Sequence, residues 1–262
     1  MAETQPPPPE ARDTAEAPAT PEAPATPGAS EASAAPDASA TSEASAPAED
    51  PSGGAAVIEL LGLLAYAELV AFDRMAADAR LAPDLTRRAI LSEMAGREID
   101  NYCRLADRLR ELGTDPEAAM SPFVGPLQEY HAKTEPNDWL EALTKAYIGE
   151  GLADDFYREI AGFLRSPDRE LVLDVLHESR FEEFSAEEIR AAIAADPKVA
   201  NRLSMWARRL SGEALSQAQQ VAVAHADLVA LVMVGVGDQA ASLFKRLTSA
   251  HSARMTSVGL NN

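Results

Sequence analysis

The amino-acid sequence predicts an all-α fold, in which four helices form a bundle and two further helices follow. From Val57 onward almost every segment repeats its apolar residues at helical spacing, and none alternates with the two-residue period of a strand. Helix-breaking residues separate these segments, with Pro83 and Pro167 as the clearest examples. The part that shows this pattern has about 200 residues, enough for one domain with a sizeable core.

The N-terminal part of the chain differs sharply in composition. Positions 2–56 contain no Val, Ile, Leu, Met, Phe, Tyr, Trp or Cys, so they cannot supply a hydrophobic core. The same positions hold 11 of the 18 prolines, and ten acidic residues against one arginine. We therefore expect residues 1–53 to be a disordered acidic tail rich in Ala, Pro, Ser and Glu, whose partner the sequence does not identify, and residues 54–262 to be the helical domain.

The composition of the helical part excludes several classes of protein. It remains acidic, within a formal net charge of −19 for the whole chain, so broad attraction to nucleic acid or an anionic membrane is not expected. A single cysteine, Cys103, excludes an internal disulfide framework and fits a reducing compartment. The N-terminal residues do not show the pattern of a secretory signal. The apolar stretch at 228–236 is far shorter than the ~20 residues that span a bilayer. We expect a cytoplasmic protein without membrane association, and the sequence leaves homo-oligomer formation open.

The first two helices form a predicted hairpin. Helix A covers about 55–80 and helix B about 84–112, with Pro83 between them. Asp84 is a predicted N-cap of helix B, and Gly113 suits the left-handed position that follows a helix C-terminus. The two helices should therefore lie antiparallel.

The second half of the bundle follows a long connection. Prolines and glycines make residues 113–137 too broken for one continuous helix, yet this segment is long enough to cross the length of a bundle. Helix C (about 138–164) and helix D (about 168–195) form a second hairpin, and two last helices follow at about 198–225 and 227–253. Two short-loop hairpins joined by one long crossover are the connectivity of ferritin-like bundles.

Four glutamates occupy the apolar stripes of the predicted helices. Glu68 and Glu98 lie on either side of Pro83, and Glu150 and Glu178 lie on either side of Pro167, so each pair falls at a similar depth in its hairpin. A buried carboxylate is unfavourable unless it is neutralised, hydrogen-bonded or bound to a cation. Four such groups in one bundle therefore predict a metal site.

Four short segments add a family resemblance that covers about residues 57–225. In order they are AYAEL at 65–69, EIDNY at 98–102, YIGEGLADDFY at 147–157 and RLSMWARR at 202–209. Together they resemble the ferritin-like family related to the tRNA hydroxylase MiaE, in particular its actinobacterial MiaE-like branch. The resemblance implies a non-haem di-iron centre that activates O₂ for hydroxylation, with a modified nucleoside or tRNA as substrate. It also implies metal ligation by Glu68, Glu98, Glu150 and Glu178.

The chain departs from this family pattern at two positions. The pattern expects histidine three residues after Glu98 and three after Glu178, where this sequence has Asn101 and Phe181. An asparagine coordinates only weakly through its amide oxygen, and a phenylalanine has no donor atom. A site made only of oxygen ligands favours Mn²⁺, Mg²⁺ or Ca²⁺ over iron, or it holds no metal.

Further residues allow two opposite interpretations of these carboxylates. His177 shares a helix face with Glu178 and could replace a missing imidazole, and Asp154 and Asn101 are further accessory positions for a metal. In the other interpretation Arg97 pairs with Glu93 or with a facing glutamate, and an ion-pair network replaces the metal. The first interpretation favours an O₂-dependent hydroxylase with an altered site, and the second favours a non-catalytic binding or scaffold protein. The sequence does not decide whether the protein is an enzyme.

Overall fold

The computed structural model describes residues 54–176, 179–237 and 240–261, which belong to one compact unit. These residues form eleven α-helices and no strand, which confirms the all-α prediction. In chain order the helices are α1 (Gly54–Asp78), α2 (Leu85–Glu111), α3 (Pro116–Met120), α4 (Val124–Lys133), α5 (Trp139–Thr144), α6 (Gly151–Ala161), α7 (Asp168–Asp174), α8 (Ser179–Ala195), α9 (Lys198–Ala224), α10 (Ala226–Val236) and α11 (Ala240–Ser257).

The first hairpin, α1 and α2, has the ends that the sequence predicts. The side chain of Asp84 accepts a hydrogen bond from the backbone N–H of Arg87 at 2.9 Å and so caps α2. At the other end Gly113 adopts φ +77°, and the N–H of Thr114 donates to the carbonyl of Leu109 at 3.0 Å. This pattern closes the last turn of α2, and the left-handed conformation that it requires is open to glycine without strain.

The crossover and the third helix are more finely divided than the sequence predicts. The crossover carries α3 and α4, with a 3₁₀ turn at Ser121–Phe123 between them. The predicted helix C consists of α5, a π-helical segment at Lys145–Glu150, and α6. A π-helix shifts the hydrogen bonds by one residue and so changes which side chains point into the bundle.

The prediction of one continuous helix over 168–195 is wrong. α7 ends at Asp174, where the N–H of Val175 donates to the carbonyl of Leu171, and α8 begins at Ser179. The freed carbonyl of Val175 accepts a hydrogen bond from the Asn101 side chain of α2 at 3.0 Å, so a tertiary contact satisfies it. His177 and Glu178 lie outside the residues that the structure describes.

The C-terminal helices also differ from the two that the sequence predicts. The predicted helix at 227–253 is divided into α10 and α11, and Gly237 follows α10 with φ +51°. α11 contributes Met255, which is fully buried, and the chain after it contributes Val258 and Leu260 to the same core cluster.

The apolar interior is divided into two clusters, and the acidic residues lie between them. In α1 the first cluster ends at Tyr66 and the second contains Met75, with Glu68 between them. In α2 the second cluster ends at Ala95 and the first resumes at Leu105, with Glu98 between them. Glu150 and Asp154 occupy the same interval on the third helix, between Ile148 and Ile160. We call this set, Glu68, Glu98, Glu150 and Asp154, the carboxylate layer.

One apolar helical stretch, Gly54–Leu81, is long enough to cross a bilayer, with a mean hydropathy of 1.9. Of its apolar window 61% is buried inside the protein, as expected for the core helix of a bundle. α9 and α10 reach the length and hydropathy of a membrane-spanning helix only when they are taken together, and the two helices are bent by 104° at their junction.

Candidate carboxylate centre

Glu68 lies in the interior, where side chains from several helices surround it. Glu68 is 6% exposed. The Nδ2 atom of Asn101, in α2, lies 3.4 Å from Glu68 Oε2. The same Nδ2 lies 3.0 Å from the carbonyl oxygen of Val175. Both partners only accept hydrogen bonds, so this network orients the NH₂ group of Asn101 toward them. Asn101 therefore acts as a donor to Glu68, and this orientation does not favour a role as an oxygen ligand.

Tyr157 of α6 is the next group near Glu68. Burial raises the pKa of Tyr157 far above its usual range, and the negative charges of Glu68 and Asp154 raise it further. The phenol is therefore fully protonated at neutral pH and is available as a hydrogen-bond donor. The sequence analysis did not select Tyr157, although it lies three residues after Asp154 and so on the same helix face.

The second position at which the family pattern expects an imidazole is apolar. Phe181 of α8 is 6% exposed and belongs to the second core cluster. The guanidinium of Arg180 lies over its ring, 4.5 Å from the ring centre. Phe181 therefore contributes packing and a cation–π contact, with no donor atom for a metal.

Arg97 lies on the outer face of α2, and its suggested place in an ion-pair network with the carboxylates stays a prediction. The side chain of Arg97 is exposed, whereas its neighbour Glu98 is 3% exposed. Consecutive residues of a helix point in directions about 100° apart, so a buried Glu98 directs Arg97 outward. Glu93, the suggested partner of Arg97, lies 3.4 Å from Arg180.

Glu150 ends the π-helical segment and lines two cavities. The first cavity has a volume of about 110 Å³ and lies between α1, α4 and the π-helical segment. Its polar lining residues are Arg74, Asp78, Tyr130, His131, Lys145 and Glu150. π-Helical turns are frequent at functional sites, which makes this part of the carboxylate layer the strongest candidate for ligand binding.

Lys145 is the buried cation of the first cavity. The residue is 7% exposed, and its ammonium group donates to the carbonyl oxygen of Thr134 at 2.8 Å. Burial lowers the pKa of Lys145 to about 8, although the nearby carboxylate of Asp78 favours the charged form. Burial, together with the charges of Lys145 and Arg74, lowers the pKa of His131 to about 3, so this imidazole is neutral at physiological pH.

The second cavity, of about 50 Å³, lies between the π-helical segment, α6, α8 and α11. Arg254 of α11 reaches into it and contacts Asp155 Oδ2 at 2.8 Å and Glu182 Oε1 at 3.6 Å. Burial alone would lower the pKa of Arg254, but the hydrogen bond to Asp155 and the negative charges of Asp155 and Glu182 together offset this effect, and the pKa is raised. The guanidinium is therefore permanently charged.

The described residues do not fit the di-iron ligand set that the resemblance implies. Among the ranges 54–176, 179–237 and 240–261, no three His, Cys, Asp or Glu side chains converge as metal ligands would. Neither position for an imidazole supplies one, and cations line the cavities on both sides of Glu150. Of the predicted ligands, Glu68, Glu98, Glu150 and the accessory Asp154 share the carboxylate layer, whereas Glu178 and the accessory His177 fall outside the described residues.

Sequence reasoning missed two cations as well as Tyr157. Lys145 occurs in an apolar stripe between Leu143 and Ile148, so its position in the helical repeat was the available signal. Arg254 had no local signal. It lies 99 residues from Asp155 in the chain, so only the tertiary fold brings the two together.

Comparison with known proteins agrees with this architecture. Residues 52–235 match the family described as "Ferritin-like domain, actinomycetes". The structure is similar to that of protein 19 with aldehyde deformylating oxidase activity from Synechococcus, with a TM-score of 0.63 and 20% sequence identity over 81% of this chain and 94% of that one. At this identity the likeness concerns the fold. A search of curated proteins gave no match. Because the family match covers most of the sequence, the chain belongs to the actinomycete ferritin-like domain family.

Proposed function

We propose that this protein is a ferritin-like binding or scaffold protein whose carboxylate layer is neutralised by its own side chains. The observation that carries this proposal is the hydrogen bond from Asn101 Nδ2 to Glu68 Oε2. At the position where the family pattern places a metal-binding imidazole, this chain directs an amide N–H toward the carboxylate. Hydrogen bonds and nearby cations are the two alternatives to a metal for stabilising a buried carboxylate.

The charges around Glu150 support the same proposal. Lys145 lines the cavity on one side of Glu150 and Arg254 lines the cavity on the other. Attraction to Glu150 also favours the charged form of Lys145. A layer with internal cations does not need bound metal ions for its electrostatic stability, and the adjoining cavities remain available for a small polar ligand.

The test is to restore the missing ligands. The double variant Asn101→His/Phe181→His should acquire iron when it is produced in iron-supplemented medium, whereas the wild type should contain much less than one iron per chain. Asn101→Gln/Phe181→Leu, which alters the same positions without adding an imidazole, is the matched control and should remain poor in iron. A wild type that already binds iron stoichiometrically, and loses it in Glu68→Ala, would overturn the proposal.

The second candidate is an altered O₂-dependent di-metal oxygenase, and the buried carboxylates next to the π-helical segment favour it. The protein from Synechococcus with aldehyde deformylating oxidase activity shares the fold, and the MiaE resemblance adds a modified nucleoside as a candidate substrate. Glu68, Glu98 and Glu150, with Glu178, would supply an all-oxygen ligand set, which suits harder divalent ions. An oxygen-dependent change in the absorbance of the metal-loaded wild type would distinguish the oxygenase from the binding or scaffold protein. Protein that binds metal without this change would exclude the oxygenase.

A further inference from the structure

The first cavity is lined by charges of both signs. Arg74 and Lys145 contribute positive charge to the lining, and Asp78 and Glu150 contribute negative charge. The formal charges of these four side chains cancel. A ligand with a net charge would disturb this balance inside the protein, whereas a ligand that carries one charge of each sign would retain it.

Two buried nitrogen atoms of the lining residues need a hydrogen-bond partner. Arg74 Nε and His131 Nδ1 are buried, and neither has such a partner among the described residues. Asp73 Oδ2 lies 4.0 Å from Arg74 Nε, which is beyond hydrogen-bond distance. An arginine N–H only donates, and a buried donor without an acceptor is unfavourable. Arg74 therefore indicates a place for a ligand with an acceptor group, such as a carboxylate.

Lys145 increases the attraction of the cavity for a carboxylate. Its ammonium group donates to the carbonyl oxygen of Thr134 at 2.8 Å. An ammonium group has three N–H donors, so this bond leaves donors for a ligand. The side chain of Arg74 is 37% exposed, so this second cation lies between the cavity and solvent. A ligand that enters from solvent meets Arg74 first.

Asp78 provides the opposite charge for a ligand. Burial raises the pKa of Asp78, although the charges of Lys145 and Arg74 lower it. A carboxylate that has lost contact with water in this way is stabilised by a charged hydrogen-bond donor. An ammonium group on the ligand is such a donor, and the negative charge of Glu150 attracts it further.

We propose that the first cavity binds a small α-amino acid in its zwitterionic form. The ligand carboxylate accepts hydrogen bonds from Arg74 and Lys145, and the ligand ammonium group donates to Asp78. The cavity has a volume of about 110 Å³. Because a cavity of about 150 Å³ holds benzene, this smaller one suits an amino acid no larger than alanine or serine. The inference rests on the proposed function, since it names the ligand class of a cavity beside the internally neutralised carboxylate layer.

Saturation-transfer NMR titrations of the full chain at neutral pH test the ligand class. Glycine and L-alanine should bind, whereas acetate and methylammonium, which each carry only one of the two charges, should bind at least about tenfold more weakly. L-phenylalanine has both charges but a side chain too large for the cavity, so it should not bind. The proposal is overturned if neither small amino acid binds, or if acetate, methylammonium or L-phenylalanine binds as tightly as they do.

Three variants test whether the first cavity is the binding site. Arg74→Gln removes a cation of the lining and should weaken glycine binding about tenfold, and Ala71→Leu fills the cavity at constant charge and should abolish binding. Arg80→Gln is the matched control, because Arg80 is exposed and does not line the cavity, and it should bind glycine like the wild type. Unchanged binding in Arg74→Gln, or an equal loss in Arg80→Gln, would overturn the proposal. The ligand series with the wild type decides even if Ala71→Leu does not fold.

The outcome is distinguishable from that of the proposed function. Stoichiometric iron in the wild type, lost in Glu68→Ala, would overturn the proposed function alone if glycine still bound and Arg74→Gln weakened its binding. An iron-poor wild type that binds neither glycine nor L-alanine would overturn this inference alone.

Discussion

Lys145 provides a quantitative prediction about the electrostatics of the first cavity. Burial lowers its pKa to about 8 in the folded protein, whereas 10.5 is the usual value of an exposed lysine. Because the folded pKa is the lower one, the cost of the buried charge is fully present below pH 8. It is relieved between pH 8 and 10.5, where the folded protein has released a proton that the unfolded chain still holds. A difference of about 2.5 between the two pKa values corresponds to about 3 kcal/mol.

Lys145→Met tests this prediction because methionine has a similar length and does not titrate. We expect the free energy of unfolding of the wild type, relative to the variant, to rise by about 3 kcal/mol between pH 7 and pH 11. The variant also loses the hydrogen bond to Thr134, which shifts its free energy of unfolding by an amount that does not depend on the charge of other groups. Urea unfolding followed by tryptophan fluorescence suits the measurement, since Trp139 and Trp206 are both buried. Parallel pH curves for the two proteins would refute the reasoning.

Two further predictions concern packing and the carboxylate layer. Gly62→Ala should lower the free energy of unfolding by about 3 kcal/mol, because the new Cβ would lie 2.3 Å from the backbone oxygen of Ala119. Gly96→Ala should raise the free energy of unfolding by about 0.5–1 kcal/mol, because a Cβ at this position has no atom within 4 Å. Equal effects in urea unfolding would contradict this. Asn101→Ala should lower the free energy of unfolding by about 2 kcal/mol, since it removes the donor to Glu68 and to the carbonyl of Val175. An unchanged free energy of unfolding would contradict this prediction.

Local signals in the sequence were sufficient for the helix ends of the first hairpin. Asp84 caps α2 with its own side chain, and Gly113 supplies the left-handed residue after it. Both effects depend on residues within a few positions of one another. The similar depth of Glu68 and Glu98 could also be predicted, because the rise along a helix fixes it once the turn of the hairpin is known.

Features that depend on tertiary contacts could not be predicted in this way. The interruption after α7 has no proline or glycine to mark it, and the carbonyl of Val175 finds its partner on α2. Arg254, on a helix at the other end of the domain sequence, pairs with Asp155 of α6. The orientation of the Asn101 amide likewise follows from its partners and not from its position.

The metal content of the wild-type protein tests the central claim most directly. The full chain would be produced in medium supplemented with iron and manganese, purified without chelators, and measured by elemental mass spectrometry. An internally neutralised carboxylate layer predicts well under one metal ion per chain, with no change in Glu68→Ala/Glu98→Ala. Two metal ions per chain that disappear in this double variant would contradict the account.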